Sequence, residues 1–334
     1  MNNIAVGTIN YATNSGLGIL VKDFWENGII NKILVVKHRK LENYNKERYP
    51  NSHTISVNEE SEKIEILENF IKNLDVLFLF ETPFFKETIP LAKKHGIKTI
   101  LMPMYECTPH NVQADLLLCP SLLDLEIYKK RQPNIKKVFL PVPVNSNIKW
   151  RLRKKAKTFF HNAGNGSRND RNGTKCLIES MKYVQSPIKL KIRTQTEDYD
   201  FEDSRIEYVK KNLSFQELWQ AGDVFVFPER WNGLSLPLQE AFSSGCLVMA
   251  GNRFPINTWL PSQPLIDVDS SQTIMVECHL IQAEKFAPKD IAKKIDEWYD
   301  KDIEEFSLLG KQFYEQNSWD VLKQKYKECI MSLQ

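Results

Sequence analysis

The sequence predicts an α/β protein with two doubly wound parallel sheets, one in each half of the chain. Three observations carry that expectation. Short apolar runs alternate with amphipathic helical stretches, the pattern of a parallel sheet covered by helices. Near the middle, Pro141-Val142-Pro143-Val144-Asn145 reads as an extended connector. Beyond it the alternation starts again, and 334 residues are more than one core ordinarily serves. The expected domains are residues 1–144 and 145–319.

In the first half, strands are expected at Asn3–Thr8, Lys32–Lys37, Thr54–Val57, Asp75–Phe80, Lys98–Met102, Asp115–Cys119 and Lys137–Leu140. Helices are expected near Leu17–Glu26, Ser61–Leu74, Pro90–Lys94 and Leu122–Lys130. Sheets of this kind bind ligands beyond the carboxyl ends of their strands, which singles out three loops. The first is Thr13-Asn14-Ser15-Gly16-Leu17-Gly18, where Gly16 and Gly18 allow close backbone approach. It does not complete a G-x-G-x-x-G dinucleotide pattern, because Val21 takes the third glycine's place. The second loop starts at Glu81, after Val76-Leu77-Phe78-Leu79-Phe80. The third runs from Met102 through Glu106 to His110. Glu81, Glu106 and His110 are therefore the candidates for ligand contact or proton transfer. The plainer alternative for each is a structural role.

In the second half, Thr158-Phe159-Phe160 is a short strand. It runs into a loop, His161 to Gly173, rich in Gly and Asn and carrying Arg168 and Arg171. Thr174 can cap a helix whose apolar face is Leu177, Ile178 and Met181. Small residues such as Gly164 let a backbone come close, and guanidinium forks bind phosphate oxygens. Diphosphate recognition is the expectation here, by Arg168 or Arg171. Strands follow at Lys189–Arg193 and Ile206–Val209, and Ser214-x-x-Glu217 is a capping box opening a helix over Phe215–Ala221.

Val224–Phe227 is the next strand, ended by Pro228, and Arg230-Trp231-Asn232-Gly233 forms a polar turn. Pro237 suits the first turn of a helix striped by Leu238, Ala241 and Phe242 and closed by Gly245. The start of that helix faces the loop, and its free N–H groups and partial positive charge suit a phosphate. Leu247–Ala250 is the following strand, with Gly251-Asn252-Arg253 as its loop. Apolar stripes mark the last helices: Ile291, Ile295 and Trp298, then Phe306, Leu309 and Phe313, then Val321–Leu333.

The stretch from Pro228 to Ala241 resembles the donor-site motif of retaining GT-B glycosyltransferases of the GT4 type, in which two glutamates flank seven residues. Glu240, read as lying in the first helical turn, matches the second glutamate, which in that family holds the ribose of a nucleotide sugar. The first position is Asn232, a departure that puts an amide where the family has a carboxylate. Gly173 and Leu177-Ile178-Glu179-Ser180 match the family's other helix start. The basic pair there is out of register, with Asn172 where a lysine is usual and Arg171 one residue early.

The resemblance implies a GT-B fold, two Rossmann-like domains facing across a cleft. Residues 1–144 would take the acceptor and 145–319 the nucleotide sugar, with a last helix, 320–334, packing back on the first domain. It implies donor contacts from Gly16, Gly18, Gly164, Arg168, Arg171, Asn232, Gly233, Leu234, Ser235, Leu236 and Glu240. The implied reaction moves a hexose from a nucleoside-diphosphate sugar, UDP-sugar first, to an acceptor hydroxyl. The resemblance also implies retention; no metal is expected, because no Asp-x-Asp pair falls in the donor loops, and no other cofactor.

Composition bounds the rest. A hydrophobic fraction of 42% and a charged fraction of 26% fit a globular chain. No apolar run approaches the ~20 residues that cross a bilayer, and no signal peptide is recognised. Six cysteines at positions 107, 119, 176, 246, 278 and 329 lack paired spacing, so buried thiols and a reducing cytoplasm are expected. Three Asp-x-Asp pairs, 198/200, 267/269 and 300/302, fall outside the donor loops and read as solvated.

The net charge of +3 is small but unevenly placed, in the runs Lys37 to Arg48, Lys129 to Lys137 and Lys149 to Lys157. If the last run lines the mouth of the cleft, the acceptor is polyanionic: DNA, then an anionic lipid or glycan. Solvated helix faces are the plain alternative. Three further readings stay open: a DNA-modifying glycosyltransferase acting on a hydroxylated base, a sugar-nucleotide binding protein without catalysis, and an unrelated Rossmann-type enzyme, which no complete dinucleotide fingerprint supports.

Overall fold

The computed structural model describes residues 4–13, 15–37, 46–50, 52–56, 60–164, 168–195, 199–210, 213–260, 263–277 and 279–333. Asn14, Asp198, Cys278 and most of the 37–48 basic run lie outside these. The chain divides into two compact units, Met1–Pro143 with Trp319–Gln334, and Val144–Ser318.

The first unit contains β1 (Val6–Asn10), α1 (Gly16–Glu26), β2 (Lys32–Lys37), β3 (His53–Ser56), α2 (Glu60–Ile71) and β4 (Val76–Glu81). It continues with α3 (Thr88–Lys94), β5 (Lys98–Pro103), β6 (Leu116–Cys119), α4 (Leu122–Arg131) and β7 (Lys136–Phe139). Its seven strands are all parallel, in the order β3-β2-β1-β4-β5-β6-β7. Such strands are covered on both faces and read as unbroken apolar runs, which is why the sequence locates most of them. The order reverses between β1 and β4, so the loops after these strands flank the switch point. There α1 is capped by Ser15, whose hydroxyl accepts the Gly18 N–H at 3.2 Å. Glycine is required at 18, because a Cβ would stand 2.1 Å from the Thr13 carbonyl oxygen.

The second unit contains β8 (Thr158–Gly164), α5 (Thr174–Ser180), β9 (Lys189–Thr194), β10 (Ile206–Lys210), α6 (Phe215–Trp219), β11 (Val224–Phe227) and α7 (Leu236–Ser243). Then come β12 (Leu247–Gly251), α8 (Ile256–Trp259), β13 (Leu265–Ile266), β14 (Ser270–Val276), β15 (His279–Lys285), α9 (Pro288–Trp298) and α10 (Glu304–Asn317). Its main sheet is parallel, in the order β10-β9-β8-β11-β12-β13. One apolar cluster, with Phe159, Leu177 and Ile291, is buried in this unit, and a second holds Phe225, Leu238 and Val248. β14 and β15 form a separate antiparallel hairpin that the sequence does not announce. The capping box at Ser214 and Glu217 is present. The last helix, α11 (Trp319–Met331), belongs to the first unit. Its Trp319 and Tyr326 rings meet Phe24 of α1 edge-on, with centroids 5.0 Å apart in each pair, the arrangement ring quadrupoles favour.

The expectation for Lys149–Lys157 needs correction. The run leads into β8 and packs at the amino ends of the strands, opposite to the ligand loops. Arg153 is 2% exposed. Its guanidinium donates to Trp219 O at 2.7 Å, to Gly222 O at 2.9 Å and to Ser244 O. Two of those carbonyls sit at the ends of α6 and α7, where the helix leaves them without an internal partner. Arg151, Lys154 and Lys157 lie 3.9, 3.8 and 3.7 Å from Asp223, Glu304 and Asp300. The run closes helix ends and pairs with neighbouring acids instead of presenting a cationic face beside the ligand loops.

Candidate functional site

In the second unit the sheet opens at its switch point. β8 pairs with β11 only at Phe159 and Phe160, opposite Val224 and Phe225. Beyond these, β8 stays on β9 as far as Gly164, and β11 stays on β12 as far as Phe227. The loops that leave this gap are residues 228–235 and the stretch ending at Gly173, described from residue 168; they are the two that the sequence singles out. They are tied together. The Arg230 N–H donates to Arg171 O at 2.8 Å, and Arg171 Nε donates to Trp231 O at 3.3 Å. The Arg230 guanidinium donates to Asn169 O and, at 2.9 Å, to Glu284 O in β15. Gly173 has φ 70°, and a Cβ there would stand 2.2 Å from Pro228 O, so only glycine lets the loops touch. Gly173, not Thr174, stands at the N-cap of α5. Residues 165–167 and the Arg168 side chain lie outside the described residues; the Arg168 backbone starts a short 3-10 turn ending at Asp170.

The 228–235 loop is held from beneath. Glu229 and Arg253 form an ion pair at 3.0 Å, exposed by only 2% and 7%. Arg253 also donates to Glu229 O at 3.0 Å and to Asn232 O at 2.9 Å. The Asn232 amide donates to Glu229 Oε1 at 2.8 Å, and its oxygen accepts the Leu234 N–H at 3.1 Å. Gly233 follows within this frame. The sequence does not reveal the Glu229–Arg253 pairing, since no spacing rule links residues so far apart.

Ser235 then turns the chain into α7 with φ 47°, and Pro237 follows in the first turn. Its hydroxyl is buried and has no hydrogen-bond partner among the described residues. Leu236, at the first helical position, has no preceding turn to bond to. A buried donor and the open end of a helix dipole thus meet at the gap in the sheet. Glu240 is half-buried and lies in the second turn of α7, because the helix starts at Leu236.

His161 sits in the gap itself. The sequence reads it as loop, yet β8 extends through it to Gly164, and the ring is wholly buried. Its Nδ1 lies 2.8 Å from Val226 O of β11, and its Nε2 lies 2.8 Å from Thr174 Oγ1 of α5. Burial pulls its pKa down to about 4, so the ring is neutral.

In the first unit, Glu81 ends β4 with φ 59°. Its carbonyl accepts from the Thr108 hydroxyl, which also accepts the Met104 N–H at 2.9 Å. The loops after β4 and β5 are thereby joined, bringing the Glu81 and Glu106 segments together. Glu106 is 5% exposed. Beside it Asp124, which the sequence does not single out, accepts the Tyr105 N–H at 2.8 Å and the Ser121 hydroxyl. Burial, then the Glu106 charge, pushes Asp124 far above the usual carboxylate range. His110 is exposed, and its carbonyl accepts Gln132 Nε2 at 3.0 Å. Gly16 and Gly18 begin α1 at the switch point.

Solved structures share this architecture over nearly the whole chain. HepE of Anabaena, solved with UDP and glucose, matches with a TM-score of 0.72 and 8% identity, over 99% of this chain and 100% of that one. A glycosyltransferase of Rickettsia africae matches at 0.68 and 12% identity, over 99% of both. The fold is that of the GT-B glycosyltransferases. Sucrose-phosphate synthase of Thermosynechococcus elongatus shares this GT-B architecture at TM-score 0.65 and 12% identity, over 99% of both chains. No protein-family model and no curated protein matches the sequence. Among the described residues, no helix is long and apolar enough to cross a membrane. No group of three or more His, Cys, Asp or Glu among them is arranged to hold a metal ion.

Proposed function

We propose that the chain is a glycosyltransferase that holds a UDP-sugar in Val144–Ser318 and moves its hexose to an acceptor hydroxyl. One observation carries this: the buried Ser235 hydroxyl, without a partner among the described residues, at the N-terminus of α7 in the gap between β8 and β11. HepE, solved with UDP-glucose, supports the choice of nucleotide, as does the pneumococcal O-GlcNAc transferase GtfA, solved with UDP and GlcNAc. In this reading Glu240 holds the ribose, and Arg171, with Arg168, grips the diphosphate. Gly164 and Gly233 leave room for it. The N–H groups of Ser235 and Leu236 face charge that develops on the leaving phosphate, while the Leu234 N–H is held by Asn232 Oδ1 and fixes the turn before them. The bond from the anomeric carbon to the β-phosphate oxygen breaks, and the acceptor oxygen forms the new bond. The acceptor's proton passes to the departing diphosphate. The resemblance of Pro228–Ala241 to the GT4 type supports retention of configuration, and the proposed reaction uses no metal.

The first unit would take the acceptor, with Glu81, Glu106 and His110 as contact or proton-transfer groups, while Gly16 and Gly18 keep the donor role that the resemblance implies. The location of Lys149–Lys157 removes the main support for a polyanionic acceptor, DNA included. The test is a panel of UDP-glucose, UDP-galactose and UDP-GlcNAc, followed by UDP release and by thermal midpoint. Release or stabilisation by one of them is expected. No response to any would overturn the donor assignment.

A further inference from the structure

The gap between β8 and β11 is bridged by a side chain. The backbone ladder stops at Phe160 and Phe225, and the next residue of β8, His161, reaches across to Val226 O with its ring. A carbonyl oxygen only accepts, so Nδ1 carries the hydrogen. A neutral ring then leaves Nε2 as an acceptor, and the Thr174 hydroxyl donates to it. Phe227 packs against the ring at 5.6 Å and 35°. A single buried imidazole therefore joins β8, the end of β11 and the first residue of α5. The loop 228–235 departs just after Val226 and Phe227, and residues 168–173 end just before Thr174.

We propose that His161 is a positioning residue for the donor diphosphate: it sets the width of the gap and holds the two loops in register, without touching the ligand. The inference rests on the donor reading above. Geometry separates its effect from a general loss of structure. Glu240, assigned to the ribose, lies in the second turn of α7, whereas the two partners of the His161 ring, Val226 and Thr174, adjoin the loops assigned to the diphosphate.

The experiment is calorimetric titration of the full chain with UDP and with uridine. His161→Phe removes both bonds, and Thr174→Val removes one. Each is expected to weaken UDP binding, by about tenfold for His161→Phe, the effect of roughly one lost hydrogen bond. Uridine affinity should stay within about twofold. Thr174→Ser, which keeps the hydroxyl, should restore UDP affinity, and His161→Asn, with an amide near the Nδ1 position, should recover part of it. Equal losses for UDP and uridine, or no loss in either variant, would overturn the proposal while leaving the donor site in place. If His161→Phe does not fold, Thr174→Val and Thr174→Ser decide the matter. Failure of the wild type to bind UDP would overturn the donor reading and this inference with it.

Discussion

The Asn232 side chain donates to the Glu229 carboxylate at 2.8 Å, and the same carboxylate holds Arg253 at 3.0 Å. Where the GT4 type has a glutamate facing the donor, this chain has an amide. Its acid sits three residues earlier and is turned inward. Asn232→Glu should therefore not act as a repair. It would set a second carboxylate against Glu229 in a buried place and remove a donor that Glu229 uses. We expect a loss of ~1–3 kcal/mol in urea unfolding and no gain in UDP-sugar turnover. Unchanged stability with faster turnover would show that position 232 faces the ligand in the family's manner.

Glu240→Ala tests the ribose assignment. The residue is half-buried in the second turn of α7, and its loss removes no core packing. Removing a charge-assisted hydrogen bond should weaken both uridine and UDP by ~1.5–3 kcal/mol while the chain stays folded. Calorimetry showing wild-type affinity for both would withdraw the assignment.

Arg153 is a cation that works through carbonyls. Burial pulls its pKa down, and its donors go to backbone oxygens of Trp219, Gly222 and Ser244. Arg153→Met keeps much of the stem but strands those oxygens. We expect a stability loss of ~3 kcal/mol by denaturant unfolding. Neutralising the exposed Lys149, Lys154 and Lys157 should shift stability by no more than ~0.5 kcal/mol and leave UDP affinity unchanged. A large loss from the lysines and none from Arg153 would reverse this division.

Legibility in the sequence follows how local each signal is. Val76–Phe80 and Val224–Phe227 are continuous apolar runs because the strands they form are buried on both faces. Pro237 and Gly245 mark the two ends of α7 for equally local reasons. The β14–β15 hairpin gives no such sign. Its turn uses Glu277 with φ 50°, a conformation usually announced by glycine or asparagine. β8 looks too short because His161 and Asn162 are polar, yet His161 is fully bonded inside the sheet. The basic run misleads because a count of charges does not say which end of a strand it precedes. That information lies in bonds from Arg153 to carbonyls some 66 to 91 residues away.

The two units should answer pH in opposite senses. In the second, burial holds the folded His161 near pKa 4, against an ordinary value of 6.5. The unfolded chain then binds more protons between those values, so the contribution is complete above about pH 6.5 and is lost as pH falls toward 4. In the first unit, burial and the neighbouring Glu106 raise Asp124. Here the folded state holds the extra proton, and the contribution present at acid pH is lost as pH rises above the ordinary carboxylate range. Each group alone adds a slope of about 1.4 kcal/mol per pH unit within its window. Asp170 in the second unit, also raised by burial, pulls against His161 and lowers the net slope there. Hydrogen exchange, corrected for intrinsic rates, reads the units separately. From about pH 4.5 to 6.5, protection of the Val224–Phe227 amides should rise and that of Leu116–Cys119 should fall. His161→Phe should abolish the rise, and Asp124→Asn should abolish the fall. A common trend in both units, unaltered by either substitution, would mean that neither buried group titrates as its surroundings require.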